Sequence, residues 1–351
     1  MTAPAPTAAI GTKRHLPAVA PLASGPLLVL TAAVLWGTVG PARALAQDGL
    51  SAVALGGWRQ LLGGMVLLVP LVVRRARPGL LRLASRPAVL AAAAATGAYQ
   101  VLFLYAVTAV GAGLATAVAL GVAPAATGIG SWLWQRDRPG RLWAVSTAIC
   151  VTGTTLLLSG STSGQQPDVL GLLAALGAGL CYGLYTVAAR IMATDGADVT
   201  AVAAVTLLLG ALPALPWMAV HAPAVLHPEP LLLVAWLGGI TCGAAYWCFM
   251  RGMTSTSASA AGTLSLAEPI AAVALSVALL GEKLTAAQAS GCALVVVGLA
   301  ITATRPRQPS LQTEDLEHRT RALGSTRPLA AGDGDRSLRS RRRMGGHKAL
   351  S

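Results

Sequence analysis

Residues 257–284 decide the fold. The run from Ser257 to Leu280 carries one carboxylate, in Leu264-Ser265-Leu266-Ala267-Glu268-Pro269, and closes on Leu279-Leu280-Gly281-Glu282-Lys283-Leu284. A bilayer core about 30 Å thick takes roughly 20 apolar residues in a helix, so the run has the length of a membrane span. Working outward, charge-poor runs of similar length recur along the chain, giving ten approximate spans at 24–46, 51–73, 88–107, 112–134, 142–160, 169–191, 198–220, 230–250, 257–280 and 286–303. Strands are excluded, because the runs are too long and lack period-two alternation. The connections carry turn signals, as in Arg74-Arg75-Ala76-Arg77-Pro78-Gly79.

The composition agrees. The 351 residues are 54% hydrophobic and 11% charged, against about 25% charged in an average soluble domain. Cys150, Cys181, Cys242, Cys248 and Cys292 all lie in apolar runs without CxxC spacing and read as small packing hydrophobes. Lys13-Arg14, the apolar run and Ala44-Leu45-Ala46 imitate a signal peptide, but the run from Pro26 to Leu45 exceeds a typical h-region and is read as a retained span. The chain thus divides into an N-terminal segment 1–23, two five-helix units at 24–160 and 169–303, and a basic tail 304–351 whose composition reads as disordered.

The net charge of +13 first suggests a nucleic-acid partner. Its placement argues otherwise. With ten spans and the N-terminus inside, 23 of the 26 bases fall on one side of the membrane, leaving Arg43, Arg59 and Lys283. The positive-inside rule then puts both termini in the cytoplasm of a multi-pass protein of the cytoplasmic membrane. No nucleic-acid partner is expected; the Arg341-Arg342-Arg343 run can instead contact anionic lipid head groups, and a homodimer stays open.

The chain also repeats. Trp36-Gly37 recurs as Tyr182-Gly183, Gly97-Ala98 as Gly243-Ala244, Phe103 as Phe249 and Thr108 as Thr254, all at an offset of 146. Pro124, Asp137 and Gly153 then match Pro269, Glu282 and Gly298 at 145. A duplication offset by five spans, an odd number, gives the second unit the opposite orientation. Inverted repeats are the architecture with which secondary transporters open a midplane site alternately to either side.

On Trp36-Gly37, Arg59 and above all the Glu268-Pro269 stretch with its Leu279-Leu280-Gly281-Glu282 turn, the chain resembles the EamA-type carriers of the drug/metabolite transporter superfamily over residues 25–303. The first half departs from the turn with Trp134-Gln135-Arg136-Asp137-Arg138. The resemblance implies an all-α integral membrane protein of ten transmembrane helices in two inverted five-helix repeats, and export of a small metabolite rather than uptake.

Intramembrane charge costs about 2.5–3.5 kcal/mol on insertion scales, so ionisable residues inside spans are functional candidates. Glu268 is the sole carboxylate well inside a span. It is a candidate for binding a substrate amine or a coupling proton, against the alternative of satisfying freed backbone donors or pairing with a base across the bundle. Arg59, nine residues into the second span, is a candidate for recognising a substrate carboxylate through its planar donor fork, against the alternative of a snorkelling or Glu-paired structural base. Trp36, Tyr99, Tyr182, Tyr185, Tyr246 and Trp247 are candidate cavity walls, with Gln100 a further hydrogen-bonding wall residue. Pro41, Pro124 and Pro269 are candidate gating kinks.

Other classes fare worse. There is no HExxH pair, no intramembrane aspartate pair and no histidine within a span, which argues against an intramembrane enzyme. No GxxxxGK[ST] motif occurs, and neither cofactor nor metal is expected. A channel or lipid flippase of the same architecture remains an alternative. The leading expectation is a secondary transporter that moves an amino acid or related amphipathic metabolite by alternating access.

Overall fold

The computed structural model describes residues 25–46, 49–73, 79–159, 168–281 and 283–303. The N-terminal segment 1–23, the tail 304–351, Arg74, Arg75 and Arg77 in the first basic loop, and Glu282 lie outside the described residues.

Every described element is helical. Nine helices among the described residues are long and apolar enough to cross a membrane: α1 (Gly25–Leu45), α2 (Ala52–Val73), α3 (Pro87–Val110), α4 (Ala112–Gln135), α5 (Arg141–Leu158), α6 (Val169–Thr194), α7 (Val199–Val220), α8 (Pro228–Gly252) and α9 (Ala258–Leu280). A shorter apolar helix follows, α10 (Ala286–Ala303). Their polarity is that of a protein in lipid. Val73, Leu232 and Trp134 stand on the outer surface, whereas the interior is built chiefly from Ala, Gly, Leu and Val.

The starts of these helices are capped by the short polar residues that interrupt the apolar pattern. Asp168 and Asp198 accept backbone N–H groups at the first turns of α6 and α7, and Ser257 does so for α9. Thr285 and Gln288 exchange hydrogen bonds at the start of α10 in a capping box. At the far ends, α4 and α9 close alike. Arg136 (φ 54°) and Gly281 (φ 68°) are both left-handed, and their N–H groups bond to the carbonyls of Ser131 and Ser276. Where the first half lacks the expected glycine, an arginine adopts the same backbone.

Small residues bring the helices close, as is usual where no water drives association. A methyl group on Gly153 in α5 would lie 2.8 Å from both the Gly291 carbonyl oxygen and the Val295 nitrogen of α10. One on Gly298 in α10 would lie 2.8 Å from the Ser146 carbonyl oxygen and 3.1 Å from the Cys150 nitrogen of α5. The second contact is the first with each residue shifted by the sequence repeat. A further pair behaves likewise: Gly37 of α1 abuts Ala271 and Ala272 of α9, and Gly183 of α6 abuts Ala126 and Thr127 of α4.

Four helices depart from regular α geometry; in α7 the departure is a 3₁₀ turn at Leu212–Ala214, where Pro213 lacks an N–H. α1 is interrupted at Thr38, whose N–H bonds back three residues to Leu35. Pro41, just beyond, has no N–H to offer the Gly37 carbonyl. α9 is interrupted at Ser265-Leu266, where Leu266 N–H bonds to Thr263 and Glu268 N–H to Ser265. Pro269 leaves the Ser265 carbonyl without its usual donor, and Glu268 supplies one from a residue nearer. α8 widens into a π-helical stretch at Leu237–Ala244. Pro124, the third of the candidate prolines, is buried inside the helix Ala112–Gln135, which is not interrupted there.

Candidate functional site

The two interruptions and the π-helical stretch meet at one place. A cavity of about 500 Å³ lies between α1, α2, α3, α4, α6, α8 and α9, within the usual range of small-molecule sites. Its wall includes Arg59, Gln100, Glu268, Pro269, Trp36, Tyr99, Tyr182, Tyr185 and Tyr246. Most of the residues singled out from sequence therefore come together. Trp247 does not: it is 40% exposed on the outer surface, because one step along a helix turns a side chain by about 100° away from its neighbour Tyr246. Pro41 and Pro124 are also absent from the wall, which takes in Val39, Gly40 and Arg43 instead.

The aromatic residues form one cluster. The Trp36 indole donates a hydrogen bond of 2.9 Å to the Thr241 carbonyl in the π-helical stretch. Its ring packs edge-on to Tyr182 (6.4 Å between centroids) and Tyr246 (5.5 Å), and tilted against Phe249 (5.3 Å). Tyr99 stacks on Phe103 and meets Tyr182, while Tyr185 packs on Tyr246 and Phe249. Both phenylalanines of the chain and four of its five tyrosines are here. Phe103 and Phe249 were visible only as repeat partners, although Phe103 lines the cavity and Phe249 backs Trp36.

The charged groups are held differently. Arg59 donates from Nη2 to Gln100 Oε1 at 3.4 Å, whereas its Nε is buried without a partner, as is the Tyr185 hydroxyl. Glu268 follows the interruption of α9, and its backbone carbonyl is approached by Gly37, where a methyl would lie 2.8 Å away. Among the described residues no ion pair joins Glu268 to Arg59 and no hydrogen bond holds its carboxylate. An acid and a base in an aromatic, largely apolar chamber, each with polar atoms unused, can take a small molecule carrying both an amine and a carboxylate.

The sequence profile of the EamA-like transporter family matches residues 23–159 and, a second time, residues 169–304. The chain belongs to the EamA-like transporter family. A Bacillus subtilis (strain 168) protein described as an uncharacterized transporter, YwfM, is 36% identical over 284 residues, which cover 80% of this chain and 94% of the relative. A solved chain described only as a crystal structure of a protein shares the fold at a TM-score of 0.67 and 22% identity, covering 84% of this chain and 98% of that one. This EamA-like protein is thus a multi-pass membrane protein, and its family and relative mark it as a transporter rather than an enzyme.

Proposed function

We propose that the chain is a secondary transporter of the cytoplasmic membrane that moves an amino acid or related amphipathic metabolite through the central cavity by alternating access. The observation that carries this reading is the pair Arg59 and Glu268, unpaired with each other and facing the same aromatic chamber. In this reading Arg59 takes the substrate carboxylate, Glu268 takes the amine or a coupling proton, and the aromatic walls take the apolar part. Export is the direction assigned, on the family resemblance.

The reading counts α10 as the tenth span. Its 18 residues extend about 27 Å, near the thickness of a bilayer core. Two inverted halves are supported by the reciprocal contacts of Gly153 with α10 and Gly298 with α5, which pair residues the sequence repeat aligns. With the basic loops and both termini in the cytoplasm, the cavity wall extends from Glu268 toward the outer helix ends, through Val39, Arg43, Ala52, Val107, Ala112 and Leu158. On the cytoplasmic side Arg190 of α6 bonds to the Met253 carbonyl at the end of α8, and Gly25 packs against Gly252. That distribution fits the outward-facing member of an alternating pair.

The test is counterflow in proteoliposomes loaded in turn with each proteinogenic amino acid. Saturable uptake stimulated by internal substrate, and at least about tenfold weaker in Glu268→Gln, is expected; a tenfold change is about 1.4 kcal/mol. Flux that does not saturate, or flux indifferent to Glu268→Gln, would overturn the reading.

A further inference from the structure

Gln100 is set against α2 along one turn. Only 9% exposed, it accepts from Arg59 Nη2 at one end of its amide. The amide nitrogen at the other end occupies the space that a side chain at Gly56 would fill. Gly56 and Arg59 are three residues apart and so share a face of α2. The orientation of the amide is dictated by chemistry: guanidinium only donates, so the oxygen must face Arg59 and the nitrogen must face the glycine gap. Four residues beyond Arg59, Gly63 packs against Cys242 and the π-helical stretch of α8, so α2 cannot roll away from this arrangement. One edge of the guanidinium is thereby held, and Nε is buried without a protein partner, so the donors left to face the cavity are on the Nη groups.

We propose that Gln100 is a positioning residue: seated in the gap left by Gly56, it fixes the guanidinium plane of Arg59 so that the donors it leaves unused present themselves to a substrate carboxylate. Gln100 acts through Arg59, and Gly56 acts through Gln100. The proposal rests on the reading that Arg59 meets that carboxylate, and it adds a specificity consequence. A flexible arginine attracts any anion, whereas a pre-oriented fork discriminates a planar carboxylate from the carboxamide of the same molecule, because the amide presents a donor where a second acceptor is required.

The experiment compares, in reconstituted full-length protein, counterflow of the amino acid giving the largest signal with that of its C-terminal amide. Wild type should favour the acid by at least about tenfold. In Gln100→Leu, and independently in Gly56→Ala, that ratio should fall to within about threefold, chiefly through a raised KM for the acid. A general loss of folded protein lowers both rates together and leaves the ratio intact, and Gly56→Ala stands in if Gln100→Leu fails to fold. A ratio unchanged in both variants overturns the positioning role while leaving the carboxylate reading intact. A wild type with no preference for the acid, or transporting no amino acid, overturns that reading and the positioning role with it.

Discussion

The contact of α1 with α9 and that of α6 with α4 are built from the same parts and end differently. In each, a glycine after an aromatic residue, Gly37 after Trp36 and Gly183 after Tyr182, lies against two residues just beyond a proline, Pro269 or Pro124. Yet α1 and α9 are interrupted, while α6 and α4 run continuously. Proline alone therefore does not set the interruption. The interrupted pair has Pro41 in α1 as well as Pro269 in α9, and its Ser265 carbonyl accepts from the Glu268 N–H three residues on, whereas Val187 stands at the position of Pro41 in the continuous pair. The continuous pair has Ala123 at the position of Glu268. The chemistry sits on the pair whose backbone has left the α-helix.

Several measurements can break or sharpen that contrast. The largest effect is expected from putting the acid on the wrong pair. Ala123→Glu buries a charge inside a packed helix at a cost of about 2.5–3.5 kcal/mol, so the yield of monodisperse protein should collapse, whereas Glu268→Ala should be recovered at wild-type yield. Equal yields would mean that α4 and α9 offer the same surroundings. Next come the prolines. Pro269→Ala should let α9 straighten and lower counterflow by about tenfold, or 1.4 kcal/mol. Pro124→Ala should stay within about twofold, and a comparable loss in both would show that the continuous helix is also a working hinge.

Overpacking the two glycines follows. Gly37→Ala and Gly183→Ala should each destabilise by about 1–3 kcal/mol, read as a lowered Tm in detergent. Only Gly37→Ala should also weaken transport in the surviving folded protein, since it pushes on the Glu268 carbonyl. Smaller again, Trp36→Phe removes the hydrogen bond to the Thr241 carbonyl and should cost about 0.5–1.5 kcal/mol, while Tyr182→Phe at the matching position should change Tm less. The smallest effect belongs to the matched turns. Arg136→Gly should raise stability by about 1 kcal/mol by relieving a left-handed non-glycine residue, and Gly281→Ala should lower it by a similar amount.

How much of this was legible beforehand depended on how local the signal was. Glu268, Arg59 and four of the five tyrosines could be singled out because polar or amphipathic side chains are rare in an apolar chain, and the cavity gathers them. Trp247 parts from Tyr246 because one step along this helix turns the side chain by about 100°, and no count of residue types says which of the two points inward. Phe249 carried a repeat signal without a chemical one. The roles of Gly56 and Thr241 were invisible, since a missing side chain and a carbonyl in a π-helical stretch leave no mark in a chain with 39 glycines.

From sequence alone followed the helical class, the approximate spans, the internal duplication and the family. Each depends on patterns within about 20 residues or on a register repeated along the chain, and the cost of unpaired backbone in lipid leaves helices as the answer. The tertiary structure alone decided which proline interrupts its helix, which aromatics close on the cavity, and that Arg59 faces Gln100 while Glu268 stands without a partner. Those outcomes turn on contacts between residues far apart in the chain, 41 positions for Arg59 with Gln100 and 205 for Trp36 with Thr241. At such separations only the packed bundle specifies who meets whom.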